Sequence, residues 1–494
     1  MRMRLSHYFD ILKPIKVEGD ADPEVKGISC DSRTIKPGEV FFCLKGYKYD
    51  GHLFAPEAII EGACAIVAER EIPHPDDVPL VYVKETRKSL ALASSRFYGN
   101  PAENLTISGF TGTNGKTTGT YALGSIIKSA GLNTGSIGTL SLRIGDEDIP
   151  LINTTPESTE LHKFFAMMQE RGITHVNMEV SSHSLVMDRV FGINFTVAVF
   201  TNITREHFDF HKSMKEYLKA KLKLFKMIKP GGTGVICLDD PHAKDFINAC
   251  EEKVVTYGFM ENADVRAKEI TYRTDGITFK WVNSRGVYPV KLKVTGFFNL
   301  QNLLGASAAA LALNIPSEKI VNGLEEFEGI KGRFQRVESG QPFQVMIDYA
   351  HTPAGIESVL RAARPITSNK LRIVLGCGGD RDKEKRPLMG STASRLADKV
   401  YLTSDNPRSE EPESIIADIE CGMNRKSNNY EIEPDRRTAI EKALTEAREG
   451  DTVIIAGKGH EDYQIFSDRK IHFDDVEVAK EILEELGYEE KGIS

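Results

Sequence analysis

The sequence predicts an α/β chain of three domains, and three observations carry that reading. The chain has 494 residues, and at roughly 150 residues per domain three is the natural count. Short β-branched runs alternate with helically spaced segments along most of its length. A glycine-rich turn, G-F-T-G-T-N-G-K-T-T from Gly109 to Thr118, lies between such a run and such a segment. The expected parts are a small α/β unit, a central unit with a mainly parallel sheet, and a C-terminal doubly wound unit.

The first unit, 1–100, reads a strand at Val40–Leu44, a helix at Phe54–Gly62 and a strand at Ala65–Val67. Phe97-Tyr98-Gly99-Asn100-Pro101 reads as a linker. The second, 101–332, opens with a strand at Leu105–Phe110 and a helix at Thr117–Ala130 closed by Gly131. Strands follow at 176–180 and 195–200, then a helix at Lys215–Ile228 with Tyr217, Leu218, Leu222 and Phe225 on one side. Residues 254–294 alternate between turns and β-branched residues, which predicts antiparallel strands. Leu303–Leu313 is an Ala/Leu-rich helix. The third unit, 333–494, carries strands at 344–347, 372–375, 399–402 and 452–455, with helices such as Glu413–Met423 and Arg437–Ala447 between them.

Bulk properties exclude several classes. Composition is 40% hydrophobic and 27% charged, as in soluble globular proteins. Net charge is -8, so a nucleic-acid partner has no electrostatic support. Seven dispersed cysteines without a C-x-x-C pair argue against a disulfide framework or a zinc site. The basic N-terminal stretch lacks the apolar core of a signal peptide. No apolar run approaches the ~18 residues that span a bilayer. A cytoplasmic monomer without membrane attachment is expected.

The Gly109–Thr118 stretch has the context a phosphate loop requires, after a strand and opening a helix. Gly112 and Gly115 let backbone N–H groups turn inward, Lys116 reaches the outer phosphates, and Thr117 can ligate Mg²⁺. The first glycine of G-x-x-x-x-G-K-S/T is replaced by Phe110, so the loop is a variant. A plain glycine-rich turn would not need the lysine and threonine. No N-K-x-D motif is present, since Leu371-Arg372 follow Asn369-Lys370, which favours ATP over GTP.

T-G-T-N-G-K-T-T together with M-E-V-S-S-H, around Glu179, resembles the Mur ligases, the ATP-dependent amino-acid-adding enzymes of peptidoglycan synthesis. Further motifs similar to that family's follow in its order: T-N-I-T-R-E-H-F-D-F-H (201–211), F-N-L-Q-N (298–302), G-R-F (332–334), D-Y-A-H-T-P (348–353), G-C-G-G-D-R-D (376–382), D-N-P-R (405–408) and A-G-K-G-H-E (456–461). The resemblance implies a UDP-binding N-terminal domain, a central P-loop ATPase domain and a Rossmann-like C-terminal domain. It also implies ATP and Mg²⁺ as cofactors.

Residue by residue, the resemblance assigns ATP to Gly112, Thr113, Asn114, Gly115, Lys116, Thr117, Thr118, Asn302, Arg333 and Asp348. ATP would then lie at a domain interface that closes on substrates. The resemblance implies catalysis by Lys116, Glu179, His207 and Lys221. Thr117, Glu179 and His207 are the candidate Mg²⁺ ligands or their support, joined by Lys221 if its amine is carbamylated to N6-carboxylysine. Read by composition alone, Lys221 is one of several lysines on a solvated helix face, and His207 is a polar loop residue. Ser32, Thr154, Thr155, Ser181 and Arg189 match contacts to UDP-N-acetylmuramoyl-L-alanyl-D-glutamate. Met187 stands where some relatives carry Gln, and its default role is packing.

Asp348, Arg381, the D-N-P-R turn and Gly457–Glu461 all follow predicted parallel strands, where open α/β sheets bind ligands. Arg381 and Arg408 can each grip a carboxylate bidentately. Asp405 and Glu461, with the Gly457 carbonyl, can hold an ammonium, and Asn406 and Pro407 complete the turn. This combination suits meso-diaminopimelate, with L-lysine as the alternative amino acid. Folylpolyglutamate synthesis, a non-catalytic regulator and a P-loop kinase are the competing readings. The D-S-R triplet with the Gly51-His52 pair, the intact Lys116, Glu179, His207 and Lys221, and the amino-acid pocket motifs respectively disfavour them.

Overall fold

The computed structural model describes residues 3–46, 49–145, 147–424 and 429–489, with the side chain at position 209 outside the description. It divides into two compact units, residues 1–257 with 305–320, and residues 258–304 with 321–494.

The first unit holds two large sheets and a two-stranded antiparallel pair, Met3–Arg4 with Glu24–Val25. The N-terminal sheet orders its strands Lys16–Glu18, Leu80–Tyr82, Ala65–Ala68, Glu39–Phe42 and Gly27–Ser29. All neighbours are parallel except the first pair. Both faces are covered, because successive residues point to opposite sides. Val40, Phe42, Ala65 and Val67 pack into one core and Phe41, Ile66 and Ala68 into another.

The larger sheet runs Glu147–Ile149, Leu142–Ile144, Thr134–Ile137, His175–Glu179, Thr106–Thr111, Phe195–Phe200, Ile228–Cys237 and Lys253–Gly258. The Leu142–Ile144 strand pairs antiparallel with both its neighbours, and the other pairs are parallel. Its buried strands Ile107, Val176, Met178, Ala198 and Phe200 feed one core with Leu161 and Phe165 of the Ser158–Glu170 helix. Residues 254–294 are therefore not antiparallel throughout. Lys253–Gly258 pairs parallel with the strand before it, since a helix, Ala243–Ala249, supplies the crossover. The rest of that stretch forms an antiparallel meander, Val265–Arg273, Gly276–Asn283 and Gly286–Leu292, in the second unit.

The second unit also carries a six-stranded sheet ordered Gln335–Val337, Gln344–Asp348, Thr452–Ala456, Leu371–Leu375, Lys399–Leu402 and Tyr430–Ile432. Its strands are parallel apart from the first. Alternation again splits the core. Met346, Ile373, Val400, Leu402 and Ile454 meet the helices Pro353–Ala363, Lys385–Leu396 and Pro412–Glu420 on one face. Val345, Ile347, Val374, Tyr401, Val453 and Ile455 meet Arg436–Thr445 and Asp475–Glu485 on the other. The helix Phe297–Ala312 begins six residues before the sequence reading placed it. No helix among the described residues is long and apolar enough to cross a membrane.

Candidate active site

The phosphate loop leaves the Thr106–Thr111 strand and enters the helix Lys116–Ser129. Gly112 has no room for a side chain, as a Cβ there would stand 1.9 Å from Thr201 Oγ1. Gly115 caps the helix at φ +86, a left-handed conformation that glycine adopts without strain. The next strand's end clamps the loop. Thr113 N donates to the Asn202 carbonyl at 2.8 Å, Asn114 N to Asn202 Oδ1 at 3.0 Å, and Thr201 Oγ1 to the Asn114 carbonyl at 2.6 Å.

Two lysines converge on this loop. Lys116 Nζ donates to the carbonyls of Gly112 and Thr113 at 3.0 and 2.9 Å. Lys221 Nζ donates to the same Gly112 carbonyl at 2.7 Å and lies 4.5 Å from the Tyr217 ring centre. Lys221 is buried, not solvated. Burial holds its amine well below the usual lysine range, and the Lys116 charge acts in the same direction.

Glu179 ends its strand opposite Phe110 and is buried. Oε1 accepts from Thr117 Oγ1 at 2.9 Å and from Thr139 N at 2.8 Å, and Thr139 Oγ1 donates to Oε2 at 3.2 Å. A Cβ on Gly138 would stand 2.4 Å from Oε1, so the carboxylate lies in a cradle that only glycine leaves open. Thr139 also bonds Thr154, Oγ1 to Oγ1 at 3.1 Å. Thr155 Oγ1 donates to the Glu179 carbonyl at 2.9 Å, Ser181 N donates to Thr155 Oγ1 at 3.1 Å, and Arg189 Nη1 to the Thr155 carbonyl at 3.0 Å. The residues matched to the dipeptide thus interlock around Glu179. Thr118 is buried in the helix. His207 is exposed on a left-handed backbone, φ +57, with its ring 4.9 Å from His183 and 6.1 Å from Tyr217. Tyr217 in turn bonds Thr113 Oγ1 at 3.2 Å. Ser32 donates to Glu57 Oε2 at 2.8 Å.

In the second unit, register brings four strand ends level. Asp348 pairs with Ala456, Ala456 with Leu375, and Leu375 with Leu402. The segments that follow therefore share one sheet edge. Asp348 accepts from Phe334 N and Ala350 N, both at 2.7 Å; burial raises its carboxyl to about 6 against the opposing pull of Arg333. Arg333 lies over the Tyr349 ring at 4.6 Å. Gly332 is pressed against Gly459–His460, where its Cβ would meet His460 N at 2.1 Å. Asn302 is buried in the Phe297–Ala312 helix.

The D-N-P-R turn forms the centre of the edge. Asn406 Nδ2 donates to Glu461 Oε2 at 2.7 Å, and Asn406 Oδ1 accepts from Ile465 N at 2.9 Å. Pro407 is buried, and its carbonyl would lie 1.8 Å from a Cβ on Gly379. Arg408, at φ +53, donates Nη1 to the Gly379 carbonyl at 2.8 Å. Gly378 separates the two arginines, its Cβ direction meeting Arg408 Nη1 at 2.9 Å and Arg381 Cγ at 3.8 Å. Gly457, at φ +117, packs on Asp405, with a Cβ 2.8 Å from Oδ2.

Three family models match this chain: the Mur ligase family, catalytic domain over residues 24–98, the Mur ligase middle domain over 110–310, and the Mur ligase, glutamate ligase domain over 332–459. A protein of Clostridium perfringens named UDP-N-acetylmuramoyl-L-alanyl-D-glutamate–2,6-diaminopimelate ligase is 44% identical over 475 residues, covering 95% of this chain and 97% of that one. The chain belongs to the Mur ligase family. A relative of the same name from Caldanaerobacter subterraneus is 45% identical over 478 residues, 96% of this chain and 98% of its own. A solved ligase of that name superposes with a TM-score of 0.73 at 32% identity, covering 99% of this chain and 100% of its own. A MurF ligase from Thermotoga maritima in complex with ADP, at 18% identity and a TM-score of 0.63 over 93% of this chain and 97% of its own, shares the fold.

Several residues that hold this Mur ligase site together were not singled out from sequence. Thr139, Gly138 and Tyr217 carry no motif and become visible only through their partners. Arg87, in the helix Thr86–Phe97, donates Nη1 to the Met187 carbonyl at 3.2 Å and lies 3.5 Å from Glu157, which also faces Arg189 Nε at 3.4 Å. Lys458 sat unremarked inside a quoted motif.

Proposed function

We propose that this Mur ligase adds meso-2,6-diaminopimelate to UDP-N-acetylmuramoyl-L-alanyl-D-glutamate with consumption of ATP. The observation that carries the reading is one sheet edge offering paired arginines beside paired carboxylates, in a chain that also holds a lysine-bearing phosphate loop. Near-full-length identity to ligases of that name supports it.

A carboxylate and an ammonium do not condense as ions. The D-glutamate γ-carboxylate oxygen attacks the γ-phosphorus of ATP, and ADP leaves from an acyl phosphate. The deprotonated diaminopimelate amine then attacks the acyl carbon, an amide forms, and phosphate leaves. Lys116 and the N–H groups at the start of the Lys116–Ser129 helix screen the phosphates as the two anions meet. Thr154, Thr155, Ser181 and Arg189 orient the dipeptide, and Ser32 serves the uridine. Asn302, Arg333 and Asp348 serve the nucleotide. Arg381 and Arg408 take the distal carboxylate, and Asp405, Glu461 and the Gly457 carbonyl take its ammonium. The parts 1–100, 101–332 and 333–494 would divide these tasks.

Thr117 and Glu179 present two hard oxygens 2.9 Å apart in a buried cradle, a donor set that fits Mg²⁺. His207 and carbamylated Lys221 would complete the set. Bound there, Mg²⁺ supplies charge neutralisation for the phosphoryl oxygens. The buried Lys221 amine, biased towards its neutral form, is the form that adds CO₂.

The test follows one oxygen atom. With dipeptide labelled by ¹⁸O in the γ-carboxylate, released phosphate carries one label per turnover. Unlabelled phosphate would rule out the acyl-phosphate route.

A further inference from the structure

The sheet-edge pocket contains a charged group that the proposed reaction leaves without a role. Lys458 is fully buried between the two carboxylates assigned to the incoming ammonium. Its Nζ stands 3.7 Å from Asp405 Oδ1 and 3.9 Å from Glu461 Oε2. Neither distance is a hydrogen bond. The ammonium is instead drawn back by its donation to the Tyr463 carbonyl. Asp405 Oδ1 is consequently buried with no hydrogen-bond donor among the described residues. Asp405 is also fixed in place, because Gly457 closes over Oδ2. Glu461 is fixed by Asn406 at 2.7 Å.

Arg436, fully buried, grips Asp475 bidentately at 2.8 and 2.7 Å and bonds the carbonyls of Ser404 and Ala456. Arg408 also acts on Glu461, so three carboxylates (Asp405, Glu461, Asp475) stand with three cations (Lys458, Arg436, Arg408). Without Lys458 two buried carboxylates would lie near each other with one cation fewer, which favours the protonated form of Glu461.

We propose that Lys458 is a positioning residue of the amino-acid pocket: it holds a positive charge between Asp405 and Glu461 while leaving Asp405 Oδ1 open to accept from the ammonium of the added amino acid. The assignment rests on the ligase reading above. Burial and the Asp405 charge already raise the Glu461 carboxyl, and Lys458 opposes that rise. Without Lys458 the carboxyl moves higher still, and a protonated Glu461 offers no charge to the ligand. The other groups facing this pair are Arg408, Arg436, Asp475, Tyr349 and Tyr463.

The test measures the diaminopimelate KM of Lys458→Met relative to wild type, at saturating ATP and dipeptide, from pH 6.5 to 8.5. The expected ratio is at least tenfold at pH 6.5 and falls below threefold at pH 8.5, with ATP KM changed less than twofold. The double variant Lys458→Met/Glu461→Gln should hold a raised ratio that does not vary with pH. A pH-independent ratio for Lys458→Met, or a ratio below threefold throughout, overturns the assignment. If Lys458→Met and Lys458→Gln both fail to fold, Lys458 serves the fold and the assignment is likewise overturned. Wild-type enzyme that turns over only another amino acid refutes the diaminopimelate reading instead, and the same ratio is then read with that amino acid.

Discussion

At the scale of single residues, the distinction between charge and hydrogen bond decides what each group can do. Arg408 Nη1 donates to the Gly379 carbonyl at 2.8 Å and to the Asn406 carbonyl at 3.5 Å, which fixes the guanidinium, and on the proposed reading its other donors take the ligand carboxylate. A fixed guanidinium loses little entropy on binding a carboxylate. Removing it strands a desolvated carboxylate, a loss of about 2–5 kcal/mol. Arg408→Ala should therefore raise the diaminopimelate KM more than tenfold in steady-state assays while ATP KM stays within a few-fold. A smaller rise would separate Arg408 from the ligand. Lys221 shows the limit of composition at this scale. Its neighbours in E-Y-L-K-A-K-L-K look like a solvated lysine face, yet this one lysine is buried against Tyr217 and the phosphate loop. The one local signal is its i, i+4 spacing with Tyr217 and Phe225, both buried, which Lys219 and Lys223 do not share.

At the scale of elements, the parts legible in sequence are those that are local. The phosphate loop, the strand ending at Glu179 and the strands Lys399–Leu402 and Thr452–Ala456 were all readable from β-branched runs and glycine-marked turns. What was not readable is pairing across long separations. Thr139 reaches Glu179 from 40 residues away, and a threonine hydroxyl leaves no periodic signature. The strand Lys253–Gly258 was assigned to the wrong pairing for the same reason, since its parallel partner lies before a helix. Arg436 is another such residue. It ties the start of Arg436–Thr445 to Asp475 of the last helix and to the carbonyls behind the D-N-P-R turn. Breaking a buried pair by deleting one partner typically costs about 3–5 kcal/mol. Arg436→Met should lower stability by that amount in urea unfolding, and Arg436→Met/Asp475→Leu should recover part of it. Equal stability of wild type and single variant would show the pair to be energetically idle.

At the scale of the whole molecule, the fold class came from alternation and length, and the chemistry came from motif order. Alternation legislates two covered faces for each parallel sheet, which the split cores of both units display. The level strand ends then follow from register, and register gathers segments from 376–381, 405–408 and 457–461 that are far apart in the chain. On the proposed reading, selectivity is a consequence of that gathering, because lysine lacks the carboxylate that Arg381 and Arg408 would take. Phosphate release by the purified chain measures this most directly, with ATP, Mg²⁺ and UDP-N-acetylmuramoyl-L-alanyl-D-glutamate, comparing meso-diaminopimelate with L-lysine. The account predicts release with meso-diaminopimelate and a kcat/KM for L-lysine lower by more than about tenfold, the least that one lost buried charged contact costs. Equal rates with the two amino acids, or no release with either, would contradict it.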